Sequence, residues 1–325
     1  MGFPVFWKQD DVEIVVCDLC GGRDWHTIIE RPDHLTVVEC NRCKLTFLNP
    51  RPRPEIVARL YGQEYFQKKT ESGCGYQDYF SEESRESMLQ LSLQRFNAFR
   101  KLIPSLPADC LEIGCSTGEF CSLLSECGLN PVGVDISKPA LEVARKRYPS
   151  LCFRDGDVES LGGWFDAIFA FEVIEHVLSP KQFLQSVARR LKPGGVLAVS
   201  TPNAACGAAI GVDNWVGYQV SFEHLYFFSL DSIERYGKQL GFNLVGWLTG
   251  GGSGLVPPPA PPSPFGTFRR SAKKALAKLG LLDTLRRLKP SAVEDESQAA
   301  TFDWSACPYR VGGQAHNLFA IFRMA

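Results

Sequence analysis

"CLEIGCSTGEF", residues 110–120, runs from an apolar segment through an acid into a turn with glycines at Gly114 and Gly118, and then into a helix-like stretch. A glycine bend between a strand and a helix can cradle a pyrophosphate, a nucleoside or nothing. The G-x-x-x-G spacing lacks the closing glycine of the dinucleotide fingerprint G-x-G-x-x-G, so the turn alone is a weak signal. Its neighbours strengthen it. Glu112 stands two residues before the first glycine, Asp135 ends the next strand-like segment 23 residues after Glu112, and Asp157 follows the third. An acid closing the second strand can accept both hydroxyls of a ribose, and one beyond the third can meet an adenine amino group.

Outward from this turn the chain alternates between strand and helix patterns. Candidate strands are 109–113, 132–136, 151–155, 165–172, 195–201, 242–248 and 317–324. The first five are separated by helix-forming segments such as "SKPALEVARKRY", which predicts a parallel sheet with helices on both faces and a ligand at the carboxyl ends of its strands. Residues 82–103 place Met88, Leu91, Leu93, Phe96, Phe99 and Ile103 at largely helical spacing, predicting a helix over the edge of that sheet.

These segments resemble the class I S-adenosylmethionine-dependent methyltransferases over 108–248 and 316–324. "LEIGCSTGEF" is similar to their first motif, "VGVDIS" to the second, "RDGDVESL" to the adenine-side motif and "LKPGGVLAVSTPN" to the turn before the fifth strand. The resemblance implies an α/β, Rossmann-like seven-stranded sheet, mostly parallel with the last strand antiparallel. It also implies a cofactor site. Glu112 would approach the methionine amino group, Gly114, Ser116 and Gly118 would form the turn, Asp135 with Ile136 would take the ribose, Asp157 and Val158 would line the adenine pocket, and Glu172 would line the site. Ser116 stands where the family has glycine, which should crowd the methionine end. Glu112 and Asp157 could instead cap a helix or a turn.

Methyl transfer to a hydroxyl needs a group to take its proton. "FEVIEHV" ends the fourth strand with Glu172, Glu175 and His176, and His224 returns in "SFEHLYFF". In the ubiquinone-pathway and small-RNA 2′-O-methyltransferases that this stretch resembles, E-x-x-E-H with a further histidine binds a divalent metal. Three readings follow: a magnesium or manganese site at Glu172, Glu175, His176 and His224, His176 as a metal-free base, or residues that merely orient the loop. Trp215 and Tyr218 are candidate walls for a sugar or ring, Tyr218 also a candidate base, while Phe222, Leu225 and Phe227 read as core.

At the other end, Cys17-x2-Cys20 and Cys40-x2-Cys43 are separated by nineteen residues. Two such knuckles supply the four thiolates of a structural zinc ribbon, a closed set with no open position for substrate. The expected organisation is a ribbon over 1–50, a linker and helical cap over 51–107, and a methyltransferase domain over 108–325. A Gly/Pro-rich and basic amphipathic insertion interrupts that domain at 249–312. The helix within it, 268–289, reads as a lid or as a contact with a membrane surface or lipid-linked substrate. The ribbon, the "NPRP" linker and the late "EHLYFFS" are similar to bacterial methyltransferases of sugar, polysaccharide and natural-product pathways.

With 35 Lys and Arg against 36 Asp and Glu, no global field draws the 325-residue chain to nucleic acid. The absence of a signal-like N-terminus or a membrane-length apolar run leads to a cytoplasmic expectation, in which most of the 12 cysteines stay reduced. The expected function is methylation of a hydroxyl on a small polar or sugar-containing metabolite. RNA methylation through the ribbon, and a non-catalytic scaffold, are the alternatives. The near-balanced charge of the ribbon opposes the first, and the retained Gly114, Gly118 and Asp135 oppose the second.

Overall fold

The fourth strand, "FDAIFAF", is buried along almost its whole length, as expected of a strand covered on both faces. In the computed structural model, which describes residues 7–60, 79–219, 223–250 and 315–325, it lies at the centre of a seven-stranded sheet. The strands of the described residues are β1 Val12–Glu13, β2 Trp25–Glu30, β3 Thr36–Cys40, β4 Thr46–Leu48, β5 Arg51–Pro52, β6 Asp109–Ile113, β7 Asn130–Asp135, β8 Cys152–Asp155, β9 Phe165–Phe171, β10 Leu191–Pro202, β11 Tyr226–Phe227, β12 Phe242–Gly250 and β13 Asn317–Met324. The large sheet has the order β12-β13-β10-β9-β6-β7-β8. Strands β6 to β10 pair in parallel, and β13 runs antiparallel to both β10 and β12. The strand order reverses beside β6, where a parallel sheet opens a crevice at its carboxyl edge.

Local signals start the helices where the sequence places them. Ser81, Ser137, Ser179 and Ser229 accept hydrogen bonds from the first-turn amides of the helices Glu82–Leu102, Lys138–Arg147, Pro180–Arg190 and Leu230–Gln239, satisfying donors that a helix otherwise leaves bare. Glu82–Leu102 is the expected edge helix, and its Phe99 packs edge-on against Phe169 of β9 with ring centres 5.0 Å apart. The last two residues of "NPRP" are β5, which pairs with β1, and the helix Pro54–Leu60 follows.

The N-terminal segment is not packed separately. Its β-sheet has the order β11-β4-β3-β2, so one of its four strands comes from a stretch expected in the methyltransferase domain. The described residues fall within a single compact unit, 1–255 with 304–325, and one hydrophobic cluster contains both Phe47 of β4 and Ile168 of β9. The boundary read at residue 50 is therefore no seam in the core. Periodicity reports only a strand's own pattern, and the partner of a two-residue strand such as β11 leaves no trace in it. Most of the insertion expected at 249–312, its amphipathic helix 268–289 included, lies outside the described residues, as does Phe222. Among the described residues no helix is long and apolar enough to cross a membrane.

Candidate active site

A cavity of about 830 Å³ opens over the carboxyl ends of β6, β7 and β9. Glu112, Gly114, Ser116, Asp135, Ile136, Asp157, Val158, Glu172, His176 and His224 all border it, so the turn and the "EVIEH" segment, far apart in sequence, face one space. Gly118 sits just beyond at φ +87°, as the residue preceding the helix Glu119–Glu126. A side chain there would meet the Phe153 ring at 2.6 Å, and one on Gly114, at φ +73°, would meet Val173 at 2.6 Å.

Ser116 adopts φ +47°, a left-handed conformation that costs a residue with a β-carbon roughly 1–2 kcal/mol. Two bonds hold it there. Its amide donates to Asp135 Oδ2 at 2.8 Å and its hydroxyl donates to Tyr79 Oη at 3.2 Å. Glycine would relieve the backbone but lose the second bond, and the departure from the family pattern is thus tied to Tyr79.

Asp135 also accepts from the Ser137 amide through Oδ1 at 2.8 Å. Burial raises its carboxyl above the usual range, and the two serine amides pull the other way. Glu112 is more perturbed. Burial pushes it up to about 8 although the Cys121 thiol donates to it, so at neutral pH the carboxyl is largely protonated. Asp157 spends Oδ1 on the amides of Glu159 and Ser160, a turn-capping role, while still bordering the cavity. Ile136 is 56% exposed, an apolar surface suited to one face of a nucleobase.

Sequence reasoning missed Arg95 and Tyr79, both bordering the cavity. Arg95 lies over the Phe171 ring at 5.0 Å, with Nη2 3.8 Å from Glu172 Oε1, and its Nε is buried without a hydrogen-bond partner among the described residues. The only signal was one of four basic residues in the pattern of an amphipathic helix, which reads there as a solvated face.

The metal quartet is not assembled as expected. Ligand atoms of Glu175, His176 and His224 lie within 4.8 Å of one another, but Glu172 is outside this group. Its carboxylate accepts from the Ser200 hydroxyl at 2.7 Å, at a backbone φ of +54°. Both carboxylate oxygens of Glu175 and Nδ1 of His224 are buried with no hydrogen-bond partner among the described residues. Burial, reinforced by the Glu172 carboxylate, drives the Glu175 carboxyl far up. Burial pushes His176 down to about 4, against the hydrogen bond it makes to the Glu223 backbone, so its imidazole is neutral at physiological pH.

Trp215 and Tyr218 do not border the cavity, contrary to their reading as an acceptor wall and a base. Trp215 is fully buried, its indole bonded to His316 Nδ1 at 3.0 Å, and Tyr218 packs edge-on against it at 4.6 Å. Burial raises the Tyr218 hydroxyl far above neutrality, which removes it as a proton acceptor. Their aromatic character serves packing around β11, where Leu225 and Phe227 are core as expected.

In the ribbon, the sulfurs of Cys17 and Cys43 are 3.4 Å apart, those of Cys20 and Cys40 3.6 Å, and all four lie within 4.8 Å of one another. A zinc tetrahedron with Zn–S bonds of about 2.3 Å has edges of about 3.8 Å, so the donor set fits zinc. A side chain on Gly22 would come within 3.2 Å of Cys20 Sγ, which is why glycine follows the knuckle.

Residues 81–246 match the family described as "Methyltransferase domain". Spanning half of the chain, this match shows that the protein belongs to the class I S-adenosylmethionine-dependent methyltransferase family. A relative named "Probable S-adenosylmethionine-dependent methyltransferase", from Mycolicibacterium smegmatis, is 36% identical over 98 residues, covering 29% of this chain and 38% of the relative. A ubiquinone biosynthesis O-methyltransferase of Chelativorans sp. is 38% identical over 110 residues, covering 31% of this chain and 44% of the relative. The chain thus spans less than half the length of these curated relatives. A Thermotoga maritima structure described as a "SAM-dependent methyltransferase, possible histamine N-methyltransferase" aligns with a TM-score of 0.47 at 19% identity, covering 76% of this chain and 96% of that one.

Proposed function

We propose that the chain transfers a methyl group from S-adenosylmethionine to a hydroxyl of a small metabolite. The observation that carries this reading is the placement of His176, with a neutral imidazole, on the same cavity as the Glu112–Asp135 acid pair. The cofactor supplies an electrophilic methyl on a sulfonium whose departure leaves a neutral thioether. Asp135 would hold the ribose, Asp157, Val158 and Ile136 the base, Glu112 the amino group, and Arg95, with its unpartnered Nε, the carboxylate. His176 would take the proton of the acceptor hydroxyl. The relative named as an O-methyltransferase agrees with an oxygen acceptor; phenolic and sugar hydroxyls both satisfy this chemistry. The four ribbon cysteines would hold a structural zinc.

Glu112 gives the experiment. Its folded value of about 8 lies above the ordinary carboxylate value of 4.5. The folded chain therefore holds a proton that the unfolded chain releases, and the associated stability falls as pH rises from about 4.5 through 8. A cationic amino group beside it favours the charged carboxylate. Cofactor binding should then release about one proton near pH 7, and affinity should strengthen from pH 6 to 7.5. Calorimetric titration with S-adenosylmethionine in buffers of different ionisation enthalpy reads both. Binding without proton release would refute the Glu112 role, and no binding would refute the function.

The unpartnered Glu175 oxygens and His224 Nδ1 support a second reading, in which a divalent cation joins His176 and orients the acceptor. In that case EDTA abolishes turnover and magnesium or manganese restores it while the ribbon zinc stays bound. Turnover on a panel of catechol and methyl glycosides that is indifferent to EDTA leaves His176 as a simple base.

A further inference from the structure

The ribbon reaches the cavity wall through a buried ion pair. Arg31 and Asp33, both in the turn between β2 and β3, are each 1% exposed. The guanidinium forks onto the carboxylate, with Nε donating to Oδ1 at 3.0 Å and Nη2 to Oδ2 at 2.5 Å. Asp33 is fixed in turn by the Trp7 indole at 3.0 Å and the Leu35 amide at 3.3 Å. The remaining arm, Nη1, donates to the backbone carbonyl of His224 at 3.1 Å. One residue on, the Leu48 amide of β4 donates to the Leu225 carbonyl at 2.8 Å, and the amides of Leu225 and Tyr226 donate to the Glu175 carbonyl at 2.8 and 3.2 Å. Residues 224–226 are therefore clamped between the ribbon and the segment carrying Glu175 and His176, whose ring lies 4.7 Å from that of His224.

Stability alone gives little reason for this arrangement. A buried ion pair contributes little net against an apolar replacement of similar volume, because desolvating both charges offsets their attraction. What a fixed guanidinium fork does supply is geometry. From this we infer that Arg31, held by Asp33, is a positioning residue that sets the His224 imidazole at the acceptor end of the cavity, making the ribbon part of the active site. This rests on the proposed function only in naming that end; the positioning itself is independent of which acceptor is methylated.

The test uses the full chain with 15N-labelled histidine, whose five imidazoles can each be assigned by substitution. The double variant Arg31→Met/Asp33→Leu removes both charges without leaving one buried and unpaired. Its ring-nitrogen signals for His224 and His176 should move or broaden, that of His26 should stay, and affinity for S-adenosylhomocysteine should stay within about twofold of the unsubstituted chain. Arg31→Lys keeps the charge beside Asp33 but lacks the fork to reach both partners, so it repeats the test with a conserved charge if the double variant fails to fold. Unchanged His224 signals in a folded variant, even one with a lowered melting temperature, would overturn the inference. Failure of the proposed function shows separately, as an unsubstituted chain that binds no S-adenosylhomocysteine.

Discussion

Asp135→Ala should weaken S-adenosylmethionine binding at least 100-fold while leaving the circular dichroism of the folded chain unchanged. The carboxylate is oriented before any ligand arrives, because Ser116 and Ser137 each donate an amide to a different oxygen at 2.8 Å. Each oxygen would retain a lone pair for one ribose hydroxyl in the proposed complex, and hydrogen bonds to a charged group contribute about 1.5–3 kcal/mol apiece. Losing two corresponds to roughly a 100-fold to 10,000-fold change in affinity. The fold survives because the strands on both sides of β7 stay paired. Asp135→Asn, which keeps shape and one acceptor, should fall between. Calorimetry with the unreactive product S-adenosylhomocysteine measures all three, and an alanine variant within threefold of the unsubstituted chain would remove Asp135 from the ribose site.

Cys40→Ser should cost the ribbon its metal and lower the melting temperature by more than about 10 °C, given that each kcal/mol shifts a chain of this size by roughly 2–4 °C. Structural zinc supplies about 10–16 kcal/mol of apparent binding free energy in small ribbons and fingers, comparable to the whole stability of a domain, about 5–15 kcal/mol. Here the loss spreads beyond the knuckles. Asp18, between Cys17 and Cys20, accepts from the Ser179 hydroxyl, the Lys181 amide and the Tyr236 hydroxyl, so the first turn of the helix Pro180–Arg190 is tied to the first cysteine knuckle. Elemental analysis should find one zinc in the unsubstituted chain and none in the variant. Equal melting temperatures, or an unsubstituted chain purified without metal, would refute the structural zinc.

Much of the cavity wall beside β6 and β7 was legible because its determinants are local. A turn that needs positive φ demands glycine or pays in strain, so Gly114 and Gly118 mark it; an acid that closes a parallel strand is carried to the sheet's carboxyl edge by the strand itself, so Asp135 follows from its position. Arg95 was not legible. Its helix belongs to no strand-turn-helix unit, and only packing against Phe171 brings the guanidinium over the site. The aromatic run at 213–228 misled for a related reason: stacking surface and core share one composition, and burial alone separates them. Trp215 and Tyr218 fell on the core side.

By itself, then, the sequence determined the candidate strand segments, the glycine turn with its acids and the four-cysteine knuckles, since strand period, glycine φ and ligand spacing all act over short stretches of chain. Only the tertiary structure decided that β11 completes the ribbon sheet, that Arg31 reaches across 193 residues to the His224 carbonyl, and that Glu175, His176 and His224 converge while Glu172 turns to Ser200. Such contacts are fixed by which surfaces exclude water together, and that choice belongs to the whole folded chain.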